Sequence, residues 1–63
     1  MKQNLDRHAI IKKYHVLLIE NTLLSRKVIE HLLKQENFEV DTAQTTSEAL
    51  EKINHQTFDL VLI

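Results

Sequence analysis

Two aliphatic runs, VLLI at 16–19 and LVLI at 60–63, are separated by two segments of helical periodicity with one alternating segment between them. That order leaves few folds open. A continuous apolar run of about 4–8 residues bounded by polar groups suits a strand covered on both faces, as in a parallel sheet. HVLLIE at 15–20 is therefore the first expected strand. After it, Leu24, Val28, Ile29, Leu32 and Leu33 recur at helical spacing and form a stripe expected to pack in the core, while Arg26, Lys27, Glu30 and Lys34 lie on the other side. Thr22 or Asn21 can cap this helix, and Asn37, which tolerates left-handed backbone, should end it near Glu36.

FEVDTA at 38–43 sets Phe38, Val40 and Thr42 against Glu39, Asp41 and Ala43, the pattern of a strand exposed on one side or lying at a sheet edge. Thr45 and Glu48 stand in a capping-box relation and open a second helix, whose stripe is Ala49, Leu50 and Ile53. FDLVLI at 58–63 is the third strand. Strands alternating with helices of this length imply parallel pairing, and right-handed crossovers reduce the topologies to a few. The expected fold is α/β, a doubly wound parallel sheet in the order strand, helix, strand, helix, strand over residues 14–63. Residues 1–13, with one weak helical cluster at Leu5, Ala9 and Ile10, read as an N-terminal tail or linker.

Composition excludes several function classes. The chain of 63 residues has no glycine, which removes phosphate-binding loops, dinucleotide fingerprints and the serine-hydrolase elbow, each dependent on backbone that only glycine adopts. It has no cysteine, and His8, His15, His31 and His55 lack the paired spacing of a structural zinc site and read as surface groups. A formal charge of −1 gives no basic footprint for nucleic acid or an anionic membrane, and Lys12 and Lys13 read as a solvated lead into the first strand. The polar start MKQNLDRHAIIKKY is unlike a secretory signal, and neither aliphatic run approaches the ~20 residues of a membrane span. A cytoplasmic protein that is not an enzyme is the expectation.

From residue 14 onward the chain resembles the receiver domain of two-component response regulators and hybrid histidine kinases. The likeness rests on HVLLIEN, on LLSRKVIEHLLKQENFEVDTAQTTSEALEKI and on FDLVLI, in that order and spacing. It implies a flavodoxin-like sheet of strand order 2-1-3, with a crevice at the carboxyl ends of the first and third strands. In that family the first strand ends in two acids that hold a magnesium ion, and the phosphate-accepting aspartate directly follows the third strand. Here the matching positions are Glu20, Asn21 and the position after Ile63. The amide of Asn21 keeps an oxygen ligand but removes a negative charge, so magnesium binding at Glu20 and Asn21 is expected to be vestigial and weak.

The expectation for these residues is thus a truncated receiver related to phosphorelay signalling, without phosphoacceptor capacity of its own. Without the resemblance, Glu20 and Asn21 read as a solvated strand end and helix cap. Asp59 is no substitute, because at about 3.3 Å per residue it lies roughly 13 Å from the crevice. The resemblance places partner binding at Leu23, Leu24 and Arg26, where a histidine kinase or phosphotransfer domain would dock; a non-catalytic adaptor or decoy of such a helix bundle is the alternative reading. The aliphatic third strand, with one edge open, is expected to promote self-association.

Overall fold

The computed structural model describes residues 12–63. The helical cluster expected at Leu5, Ala9 and Ile10 lies outside them. The described residues form β1 (His15–Ile19), α1 (Leu23–Gln35), β2 (Glu39–Ala43), α2 (Thr46–His55) and β3 (Leu60–Leu62). All pairings are parallel and the sheet order is β2-β1-β3, as expected for a flavodoxin-like receiver unit. β1 is central, pairing from His15 with Glu39 to Ile19 with Ala43 on one side, and from Val16 with Leu60 to Leu18 with Leu62 on the other.

The aliphatic run of β1 explains its place. Both helices pack against β1 and β2. Alternation sends Leu17 and Ile19 to one face of the sheet and Val16 and Leu18 to the other. Val16, Leu17 and Leu18 are all buried, so both faces are covered. Leu17 clusters with Ala43 of β2 and Ala49 of α2, and Ile19 and Phe58 pack against that group. The two alanines bring α2 close to the sheet. They also bury Ala43, which belongs to the row of β2 that alternation alone assigns to the polar side.

α1 ends as Asn37 predicts. Its φ is 69°, in the left-handed region. The N–H of Phe38 donates to the carbonyl of Leu33 at 3.1 Å and that of Asn37 to Lys34 at 3.0 Å, a Schellman motif built on asparagine where glycine is usual. The start of α1 differs from expectation. Thr22 occupies the cap position but its side chain makes no capping bond. Its hydroxyl instead donates to Oδ1 of Asn21 at 3.4 Å, and neither side chain serves the helix backbone.

The apolar stripes are the other departure. Of the α1 stripe only Ile29 and Leu33 are half-buried, beside the half-buried Ser25, Arg26 and Glu30. Leu24, Val28 and Leu32 remain 73%, 49% and 53% exposed. In α2 Ala49 is buried but Leu50 and Ile53 are exposed. Both helices lie over β1 and β2 and have no comparable contact with β3. Part of each stripe consequently has nothing beneath it among the described residues.

Candidate functional site at the strand tips

The parallel register brings the carboxyl ends of all three strands to one edge. The N–H of Glu20 donates to the carbonyl of Ala43 at 3.0 Å, carrying the β1–β2 ladder one step past β1. Ile63 follows directly on β3, whose Leu62 pairs with Leu18. Between the tips lies an open cleft of about 420 Å³ lined by Ile19, Glu20, Asn21, Gln44, Thr45, Thr46 and Ile63. The two tips that sequence reading expected to meet, Glu20-Asn21 and Ile63, share this cleft.

Backbone around the cleft is held by side chains. Oε2 of Glu20 accepts the N–H of Thr22 at 3.0 Å, which folds the turn from β1 into α1. The guanidinium of Arg26 donates to the carbonyl of Glu20 at 2.9 Å. On the opposite rim, Thr45 caps α2 by accepting the N–H of Glu48 at 3.1 Å. The carboxylate of Glu48 returns to the N–H of Gln44 at 2.9 Å, one residue before the position that a standard capping box serves. Nζ of Lys52 donates to the carbonyl of Thr42 at 2.7 Å, fastening α2 to the end of β2.

Glu20 is the single acidic side chain among the described residues of the lining. Among the described residues no group of three or more His, Cys, Asp or Glu is arranged to hold a metal ion. Magnesium takes near-octahedral oxygen coordination and commonly draws on one or two carboxylates together with water and phosphate oxygens. One carboxylate, already accepting a backbone N–H, and one neutral amide meet that demand only in part. Of the residues assigned to partner binding, Leu23 and Leu24 stand exposed beside the tips. Arg26 is half-buried and its head is committed to the strand tip.

Asp59 sits at the far end of β3, as its place in the sequence requires. Its Oδ2 accepts the N–H of His15 at 2.8 Å, its own N–H donates to the carbonyl of His15 at 2.8 Å, and Nζ of Lys12 lies 3.5 Å from Oδ1. The donated backbone N–H holds the Asp59 carboxyl below the usual aspartate range; desolvation opposes the shift and Lys12 adds to it. A carboxylate whose pKa is depressed in the folded state contributes stability that is complete above its unfolded value and lost as pH falls through the folded value. Asp59→Asn is accordingly expected to lower the urea midpoint most near pH 6 and progressively less as pH falls below the ordinary aspartate range, read by circular dichroism. A loss that does not shrink as pH falls would mean that the charge is not what matters.

This latch between the starts of β1 and β3 was missed in the sequence. So was the ring of His15, which lies 2.9 Å from Oδ2 of Asp41 and 4.6 Å from the ring of Phe58. His15 is a structural group at the sheet's lower edge and not a free surface histidine. The one available signal was an aspartate immediately ahead of an aliphatic run.

Comparison with known proteins agrees with this geometry. The family model described as the response regulator receiver domain matches residues 16–63. The chain is 32% identical over 55 residues to the response regulator mcs4 of Schizosaccharomyces pombe, an alignment covering 87% of this chain and 10% of that protein. It is 44% identical over 39 residues to the two-component response regulator ORR4 of Oryza sativa subsp. indica, covering 62% of this chain and 17% of the relative. The chain thus spans a small part of the length of these curated relatives. No solved structure matches it significantly. With the parallel 2-1-3 sheet and the cleft at its strand tips, the match places this chain in the response regulator receiver domain family.

Proposed function

We propose that this receiver chain contributes a weak cation-facing strand tip in phosphorelay signalling, and that the polypeptide of residues 1–63 takes up no phosphoryl group itself. One observation carries the reading: among the described residues Glu20 is the only acidic side chain lining the cleft, and Asp59, the acidic residue nearest β3, is tied to His15 at the other end of the sheet. Phosphoryl transfer to an aspartate needs a carboxylate nucleophile in line with the donor at the cation site. If Glu20 attacked, the cleft would lose the one charged ligand it offers, so the two roles exclude each other here.

The test is intact-mass measurement after incubation with a small acyl-phosphate donor and magnesium. The mass is expected to stay unchanged, and a hydroxylamine-sensitive adduct on Glu20 would overturn the reading. A second reading is favoured by the exposure of Leu23 and Leu24 beside the cleft. In it the chain is a non-catalytic adaptor or decoy that docks on a histidine kinase or phosphotransfer helix bundle. Saturable retention on an immobilised bundle, lost with Leu23→Asp, distinguishes it.

A further inference from the structure

Parallel pairing leaves part of the β2 backbone facing away from β1. The N–H of Glu39 donates to the carbonyl of Tyr14 at 2.9 Å, and the carbonyl of Ala43 accepts the N–H of Glu20 at 3.0 Å. Between these ends the ladder alternates. Glu39, Asp41 and Ala43 therefore bond inward, and Val40 and Thr42 present their N–H and carbonyl groups outward. In the flavodoxin-like strand order further strands add beyond β3, which leaves β2 outermost. Val40 and Thr42 are thus the template on which another strand would pair at this side of the sheet.

One of these outward groups is occupied. The half-buried Lys52 of α2 reaches to the sheet, where its Nζ donates to the carbonyl of Thr42 at 2.7 Å. In doing so it forgoes the pairing that its own helix offers. Glu48 precedes it by four residues, the favoured order for an ion pair on a helix surface. No such pair forms among the described residues: Glu48 turns back to the N–H of Gln44 at 2.9 Å, and the ammonium goes to the strand. A strongly hydrated charge is thereby set on an acceptor that an incoming strand needs.

We propose that Lys52 guards the β2 edge, and that what it keeps off is β2 of a second copy of this chain. Two β2 strands are complementary in antiparallel pairing, because Val40 of each meets Thr42 of the other and all the outward N–H and carbonyl groups find partners. The Lys52 ammonium removes the Thr42 carbonyl from that set in both copies. Asp41 supports the guard, since the same pairing sets Asp41 directly against Asp41, and like charges so placed repel. The two devices are separable: the aspartate acts through charge that salt screens, and the lysine also acts by occupying a hydrogen-bond acceptor.

Amide exchange of the polypeptide of residues 1–63, read residue by residue by nuclear magnetic resonance, tests the proposal. In the parent, the inward N–H of Asp41 is expected to be protected, and the outward N–H groups of Val40 and Thr42 to exchange at rates unchanged over about a hundredfold dilution. In Lys52→Met, protection of Val40 and Thr42 is expected to rise with concentration by about fivefold or more, and further in about 0.5 M salt. Lys52→Arg keeps a cationic donor and is expected to behave as the parent. Exchange at Val40 and Thr42 that slows with concentration in the parent overturns the proposal, as does exchange in Lys52→Met that never slows. An Asp41 amide that exchanges freely overturns it too: in the parent because the edge is then not formed, and in Lys52→Met alone because the lysine then serves only to hold α2.

Discussion

Replacing Leu17 with alanine is expected to abolish cooperative folding of the isolated polypeptide. Among the described residues Leu17 and Val16 are the two large side chains buried completely, and Leu17 clusters with Ala43 of β2 and Ala49 of α2. Removing buried leucine atoms costs about 2.7–5 kcal/mol, rising with the cavity that remains. The methyl groups of Ala43 and Ala49 cannot swing into the space, and only the flanking Ile19 and Phe58 can shift to reduce it. In a chain below about 70–80 residues a single core rarely supplies more than roughly 3–5 kcal/mol. The loss therefore equals the whole margin. In a urea titration followed by far-ultraviolet circular dichroism, the parent is expected to give a sigmoid and Leu17→Ala a featureless slope at the same protein concentration, which must be fixed because association adds to apparent stability. Leu50→Ala is the matched control. That side chain is 57% exposed, and its truncation is expected to cost under about 1 kcal/mol in the monomer. A Leu17→Ala transition as sharp as the parent's, with the same midpoint, would show that stability resides elsewhere than in this cluster.

Much of this architecture was legible because its determinants are local. The run at 16–19 needs cover on both faces, and a central parallel strand is where it obtains that. Asn37 ends α1 through its tolerance of left-handed backbone, and the Thr45–Glu48 relation opens α2; both signals lie within four residues of the feature they specify. The meeting of Glu20, Asn21 and Ile63 was also accessible, since the family's strand order and a parallel register leave the tips nowhere else to go.

What sequence could not give depends on partners distant in the chain. Periodicity marks Leu24, Val28, Ile29, Leu32 and Leu33 as one stripe, yet of these only Ile29 and Leu33 are half-buried, because α1 lies over β1 and β2 and the width of sheet beneath it is not written in the helix's own periodicity. His15 joins Asp41 and Asp59 across separations of 26 and 44 residues, and nothing in its local sequence distinguishes it from His31 or His55. At the cleft, Thr22 and Asn21 both carry good capping side chains, but the carboxylate of Glu20 takes the N–H of Thr22, and Thr22 turns to Asn21 instead. Propensity identifies groups able to cap without deciding which of three neighbours does so.

The substitution Asn21→Asp is expected to convert the weak strand tip into a measurable magnesium site. Asn21 is exposed, and its Oδ1 makes one long contact of 3.4 Å with the Thr22 hydroxyl, which an aspartate oxygen would accept equally well. The change adds charge with little alteration of shape. A carboxylate about 4 Å from a divalent cation in water gains about 2 kcal/mol, and screening at physiological ionic strength reduces that to roughly a tenfold gain in affinity. The guanidinium of Arg26, held on the carbonyl of Glu20 at 2.9 Å, opposes the cation equally in both proteins and cancels from the comparison. Without metal the new aspartate faces Glu20 across one peptide and destabilises the turn slightly. Magnesium should reverse that loss. The distinguishing signature is therefore an unfolding midpoint that rises with magnesium in Asn21→Asp and stays nearly flat in the parent, since a ligand stabilises only the state that binds it. Parallel titrations that coincide would show that the amide is not what limits the cation at this tip.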